Sequence, residues 1–320
     1  MRRFFPDANY EFIARRRLAY MFSAALLALG ILAAVINQAA RGSWLNYGVD
    51  FSGGSIVQVK IAGSPSEEDV RRIAAARVAG SQVSRFGDDE YLIRTPGTGG
   101  DAATGPASQV LTALRETYGA QSVVSERIEE VGAKVGGELQ QKAVIAIVLA
   151  LLGMLIYLAF RFEWRFGVAA VIATAHDVLI TVGLIALLRM EVSLPTVAAI
   201  LTILGYSIND KIVVFDRIRE NLKATRRPAF VDVLNRSINE TLPRTTLTGA
   251  STLATLLSLY MFGGAIIREF ALILILGIVL GTYSSIYIGS PALLEIEKRF
   301  PHQQPTVKRP RTSAPRPSRV

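Results

Sequence analysis

Residues Leu204 to Leu222 read LGYSINDKIVVFDRIRENL, and they place Asn209, Asp210 and Lys211 inside an apolar run that extends from about Val192 to Phe215. A run of that length can span a bilayer, whose hydrocarbon core takes about 20 helical residues. An aspartate at the centre of a spanning helix costs about 2.5 to 3.5 kcal/mol on insertion scales, so a chain that keeps one has a use or a partner for it. Asp210 is therefore the residue that the rest of the sequence has to account for. The structural alternative sets Asp210 at the headgroup boundary beside Lys211 and Asp216, where it marks only the exit of the helix from lipid.

Composition agrees with a membrane protein. Of the 320 residues 51% are hydrophobic, and 35 Lys and Arg stand against 26 Asp and Glu, a net charge of +9. Mean hydropathy is +0.36. High apolar content with a basic balance points to several spans whose cytoplasmic ends carry Lys and Arg. The arginines fall in blocks between apolar runs and at the two ends, with no aromatic-interleaved basic module, so no nucleic-acid partner is expected. Cysteine is absent, which excludes disulfides, thiol catalysis and cysteine metal sites. Neither a metal nor a cofactor is expected.

Residues 1–17 form a basic N-terminus with Arg2, Arg3, Arg15, Arg16 and Arg17, and the apolar run 18–36 follows. That run is longer than the region of about 7 to 15 residues in a cleaved signal peptide, so it reads as a retained first span with the N-terminus in the cytoplasm. Residues 37–141 are then external. Residues 142–294 hold five more apolar runs, Ala143 to Phe160, Val168 to Leu188, Val192 to Phe215, Thr246 to Phe262 and Phe270 to Leu294. A long polar loop is expected from Asp216 to Pro243. The tail 295–320, rich in Pro, Ser and Arg, is expected to be disordered and cytoplasmic. The fold class is a polytopic α-helical membrane protein with six transmembrane helices and an α+β domain between the first two.

Within the external segment SIVQVKI (Ser55 to Ile61) alternates as a strand, and SEEDVRRIAAARV (Ser66 to Val78) opens with a capping box and continues as an amphipathic helix. Gln82 to Phe86 and Glu90 to Thr95 read as strands joined at Gly87-Asp88-Asp89. A loose linker, PGTGGDAATGP, leads to a helix over Ala107 to Tyr118 and a strand over Ser122 to Ile128. This is the β-α-β-β-α-β order of the ferredoxin-like split motif. The segment has no histidine and no evident catalytic set, so binding is its expected job and the chain is not read as an enzyme. Gly53-Gly54, in VDFSGGS, precede a strand and read as a tight bend, because a phosphate loop would lead into a helix.

Polar residues in the later spans fall on faces. Arg244, Thr248, Ser251, Thr255 and Ser258 recur at spacings of three and four, one stripe of a helix. Gly277, Gly281, Ser284 and Ser285 make a small-residue face suited to close packing in lipid. His176 and Asp177 lie mid-way along the third run. If the three helices are neighbours, Asp210 and Arg244 can pair, and such a carboxylate can be switched by protonation.

GYSINDKIVVFDRIREN, followed by SINETLPRTTLTGASTLATLLSLYMFGG, resembles the signature of the SecD/SecF family of the bacterial Sec protein translocase, relatives of the resistance-nodulation-division transporters. VDFSGGS and AHDVLITVG match the same family, and the six-span layout follows its SecF branch. The resemblance implies an accessory subunit that acts with SecD, the SecYEG channel and YajC, handles a translocating polypeptide, and couples proton flow to late steps of export. It makes Asp210 the proton-carrying residue and Arg244 its partner, and His176, Asp177, Asn209 and Lys211 are the candidate supporting residues beside them. At position 211 the family pattern has a small polar residue such as threonine. Lys211 departs from it, and as a neighbour about 100° away on the helix it is expected to snorkel. Two other classes remain open. One is half of a proton-coupled small-molecule efflux permease. The other is an intramembrane aspartyl protease with Asp177 and Asp210 as a facing dyad, although the Gly-x-Gly-Asp context is missing.

Overall fold

The structure, a computed structural model, describes residues 9–86, 88–96, 105–224 and 229–300. Gly87, much of the linker after Pro96 and the tail from 301 onward lie outside the described residues.

Helix α1, Arg16–Arg41, ends at Gly42, whose φ of 75° lets its N–H turn back to Gln38 O at 3.0 Å. A short strand β1 (Asn46–Tyr47) and a one-turn helix α2 (Val49–Ser52) lead through Gly53 and Gly54 into β2 (Gly54–Ile61). Both glycines have positive φ, 74° and 134°, and a Cβ on Gly54 would stand 2.5 Å from Thr95 O. The bend expected from the sequence is therefore a position only glycine fits.

Then follow α3 (Glu67–Arg77), β3 (Gln82–Phe86), β4 (Glu90–Thr95), α4 (Pro106–Tyr118) and β5 (Val123–Val131). Ser66 caps α3, its Oγ accepting from Asp69 N at 3.1 Å. The strands order as β3-β4-β2-β5, every pair antiparallel. Val57, Val59 and Ile61 alternate on the face that packs on α3 and α4 through Val70, Ala74, Val110 and Leu114.

The second half contains α5 (Ala133–Arg161), α6 (Trp164–Leu188), β6 (Glu191–Val192), α7 (Leu194–Ala224), α8 (Phe230–Phe262) and α9 (Ala265–Ser284), then a π turn over Ser285–Gly289 and α10 (Ser290–Arg299). Among the described residues five helical stretches are long and apolar enough to cross a membrane: Ile13–Arg41, Lys134–Leu158, Trp164–Leu188, Leu194–Ala224 and Ile266–Arg299. Helix α8 is long but not among them, because Ser and Thr at 246, 248, 251, 252, 255 and 258 dilute its apolar half.

Two expected boundaries are corrected. The polar loop drawn over Asp216 to Pro243 is mostly helix, since α7 continues to Ala224 and α8 begins at Phe230. The reason is amphipathicity: Phe215, Ile218, Val233, Leu234 and Ile238 bury one face in a core with Phe166 and Leu294. The first residues assigned to the tail, 295–299, complete α10, whose Glu297 accepts from Arg165 at 2.8 Å.

Where α7 and α8 approach beyond the apolar run, Glu240 gathers Arg217 Nε at 2.6 Å, Asn221 Nδ2 at 2.8 Å and Arg236 Nε at 2.9 Å. Burial pushes this carboxyl up, but the three donors outweigh it and hold it at about 2. A depressed carboxyl contributes stability that is present above its ordinary range near 4.5 and lost as pH falls toward 2. Glu240→Gln is therefore expected to lower the melting temperature at pH 7 and to remove that part of the acid sensitivity, read by thermal unfolding in detergent between pH 7 and 3.

The sheet domain is joined to the helices by specific contacts. β1 pairs in parallel with β6, Asn46 opposite Glu191 and Tyr47 opposite Val192. Asp50 Oδ2 accepts from Leu194 N at 2.8 Å and so caps the start of α7, while Arg94 forms an ion pair with Glu191. Among the spans, α1 meets α6 at glycine, a Cβ on Gly30 falling 2.6 Å from Gly183 Cα. Gly30→Val is expected to force these helices apart at a cost of about 1–3 kcal/mol, measured as a lower unfolding temperature.

Candidate functional site: a polar cluster among the spanning helices

Close packing of α6, α7 and α9 creates the site. A Cβ on Gly277 would overlap Ile203 at 2.1 Å, and one on Gly281 would stand 3.2 Å from Ser207, so the small-residue face of α9 lies directly on α7. In the space so formed Asp177 and Lys211 are both 0% exposed, and Lys211 Nζ donates to Asp177 Oδ2 at 2.7 Å. The same carboxylate oxygen accepts from Ser207 Oγ at 2.5 Å and Ser284 Oγ at 2.7 Å, and Oδ1 lies 3.0 Å from His176 Nδ1. Lys211 also donates to Ser207 Oγ. A buried ion pair is held only when further hydrogen bonds meet what desolvation takes away, and these hydroxyls do so.

Asp210, one residue from Lys211 and half-buried, faces the other way. Its Oδ1 accepts from Thr245 Oγ1 of α8 at 2.7 Å, and its Oδ2 from Ser285 Oγ at 2.5 Å. Both donors are neutral. Among the described residues no cation pairs with it. Adjacent serines where α9 gives way to the π turn thus reach different acids, Ser284 to Asp177 and Ser285 to Asp210. The wider π turn is where a helix re-aims successive side chains, and such turns are frequent at functional sites.

Residues 109–299 match the family model "Protein export membrane protein SecD/SecF, C-terminal". The chain belongs to the SecD/SecF family. Residues 42–62 match the SecD/SecF GG motif, which contains the Gly53-Gly54 bend. A protein translocase subunit SecF of Gemmatimonas aurantiaca is 41% identical over 312 residues, covering 94% of this chain and 91% of that one. One from Desulfurispirillum indicum is 43% identical over 310 residues, 93% of this chain and 96% of that one. Among solved structures, the crystal structure of SecDF from Thermus thermophilus, a translocon-associated membrane protein, is similar with TM-score 0.77 and 38% identity. That match covers 92% of this chain and 39% of the SecDF chain. SecDF in a super-membrane-facing form matches with TM-score 0.66.

Against the expectations drawn for a SecD/SecF chain, the structure rearranges the partners. Asp210 and Arg244 are not paired: Arg244 is exposed, because its position on α8 turns away while the next residue, Thr245, turns in. Lys211 does not snorkel, since α7 presents it to Asp177 in the helix interior, where it is fully buried. Asp177 and Asp210 do not form a dyad; each has its own shell of donors. Asn209 is exposed, and His176 touches Asp177. Thr245, Ser207, Ser284 and Ser285 are the contacts of the two acids that patterning did not assign, although Ser284 and Ser285 stood on the small-residue face. Arg244→Ala is accordingly expected to change stability by less than about 0.5 kcal/mol, as for an exposed position without a structural partner. Unfolding in detergent checks this.

Proposed function

We propose that the chain is a SecF-type subunit that works with a SecD-type partner to promote late steps of protein export, driven by protons that Asp210 carries across the membrane. The observation that supports this reading most is the shell of Asp210: a half-buried carboxylate held by two hydroxyls and no cation, at the meeting of α7, α8 and the π turn. Once protonated it gains an O–H donor, and either hydroxyl can turn to accept from it. That exchange links proton occupancy to the packing of α8 and α9.

In this reading the apolar half of α8, Thr246 to Phe262, is the fifth span in chain order and completes six, and the exposed stripe of Arg244, Thr248, Ser251, Thr255 and Ser258 is the face that meets the partner. The stripe hydroxyls are satisfied by their own helix, as when Ser251 Oγ donates to Thr248 O at 3.0 Å, which leaves Arg244 to receive an anionic group from outside the chain. The SecDF match supports the partnership, because 61% of that single chain remains outside the matched share of 39%. We place both termini in the cytoplasm, the membrane as the inner membrane, and residues 37–141 in the periplasm as a ferredoxin-like unit that touches the emerging polypeptide. The strand order β3-β4-β2-β5 with two helices on one face supports the ferredoxin-like assignment. SecYEG and YajC are the further partners of this reading.

Purification in mild detergent followed by identification of co-purifying chains tests the assembly. A second polytopic subunit of SecD type in stoichiometric amount is expected. A protein that purifies alone, with all its export phenotype retained in cells lacking any such subunit, would contradict it.

A further inference from the structure

The two acids of this site, Asp177 fully buried and Asp210 half-buried, are held by similar hydroxyls and differ in charge pairing. Asp177 is held by hydroxyls of Ser207 and Ser284, as Asp210 is held by those of Thr245 and Ser285. Only Asp177 has a cation, the Lys211 ammonium at 2.7 Å. Lys211 stands beside Asp210 in sequence, yet it is spent wholly on Asp177 and Ser207. We propose that Lys211 is a positioning residue for proton transport: by occupying Asp177 it withdraws that acid from proton carriage and leaves Asp210 as the single acid of the cluster that takes up and releases protons. This rests on the reading of Asp210 as the carrier.

The groups that face Asp177 are His176 from its own helix, Ser207 and Lys211 from α7, and Ser284 from α9. Among the described residues, α1, α5 and α10, which also pack on α6, bring no charged side chain into hydrogen-bonding or ion-pairing distance of it. Removing the ammonium therefore leaves an acid held by two serine hydroxyls and an imidazole, a shell of the same kind as that of Asp210. In that state Asp177 can do what Asp210 does. The carboxylate gains one proton from one side of the membrane, becomes a carboxylic acid, and returns the same proton on the other side, with no change in any other bond. His176 stands beside this second path, and among the described residues its buried Nε2 has no hydrogen-bond partner.

The test compares the parent, Asp210→Asn, Lys211→Thr, Asp210→Asn with Lys211→Thr, and that double variant with Asp177→Asn added. Each is full length, purified with its co-purifying partner and reconstituted in lipid. Infrared difference spectra on acidification report the carbonyl band of carboxyls held away from water. Precursor export into membrane vesicles reports coupling to the proton gradient. The parent should show one such band that Asp210→Asn removes. Lys211→Thr should about double it, and Asp210→Asn with Lys211→Thr should regain both a band and a gradient-stimulated part of export, each lost again with Asp177→Asn. Where the threonine variants do not accumulate, Lys211→Gln makes the same comparison. If Asp210→Asn and its Lys211→Thr double variant both lack band and stimulation, the role of Lys211 is overturned while that of Asp210 stands. If the band and the gradient response persist in Asp210→Asn alone, both fall.

Discussion

Replacing Asp177 with alanine is expected to cost the folded protein about 3 to 5 kcal/mol, because it leaves the Lys211 ammonium fully buried without its counter-charge. The loss should appear as a sharply lower unfolding temperature in detergent and as little protein retained in membranes. Lys211→Met alone should also destabilise, but by less, since the carboxyl it leaves keeps the Ser207 and Ser284 hydroxyls and can be neutralised by a proton. The pair of changes together should be far milder than either, because removing both charges removes the desolvation penalty along with the attraction. Single losses that simply add in the double variant would mean that the 2.7 Å contact does not carry the energetics assigned to it.

Asp210→Asn is expected to abolish the gradient-stimulated part of export while changing stability by no more than about 1 kcal/mol. Asparagine keeps an acceptor for one of the two hydroxyls, and the other hydroxyl can rotate to accept from the new amide. It no longer titrates. Ser285→Ala should be intermediate, since it removes one donor but leaves the acid and Thr245 in place. Processing of a secreted precursor in intact cells distinguishes the three chains: fastest for the parent, intermediate for Ser285→Ala and slowest for Asp210→Asn.

The elements of the sheet domain were legible because their periods are clean. SIVQVKI alternates at period two, and Ser66 with Asp69 announces the start of α3 three residues ahead of its first buried side chain, Val70. The apolar runs marked the spans for the same reason. Residues 216–243 were less legible, because their buried faces are spaced around polar residues such as Asn221, Ser237 and Asn239, which bond across helices or to the N-terminal segment instead of to water. A hydropathy pattern records polarity but not who satisfies it.

At the site, the four ionisable positions His176, Asp177, Asp210 and Lys211 could be found by asking which charges sit in apolar runs. Their pairing could not. It depends on which helices are neighbours and on rotation about α7, which sends Asp210 toward α8 and Lys211 toward α6. The π turn was likewise invisible, because nothing in SIYIG distinguishes it from a continuous helix, and it places Ser284 and Ser285 on two different acids. Pairing the two conspicuous charges, Asp210 and Arg244, was reasonable from sequence alone. A one-residue difference in facing between Arg244 and Thr245 undid it.

The most direct measurement of the central claim, that Asp210 carries the protons that drive this SecD/SecF chain, is precursor export into membrane vesicles with a proton gradient imposed and then collapsed by an ionophore. The account predicts that the parent loses its stimulated component on collapse and that Asp210→Asn never shows one, at equal amounts of assembled protein. Stimulation of Asp210→Asn equal to that of the parent would contradict it.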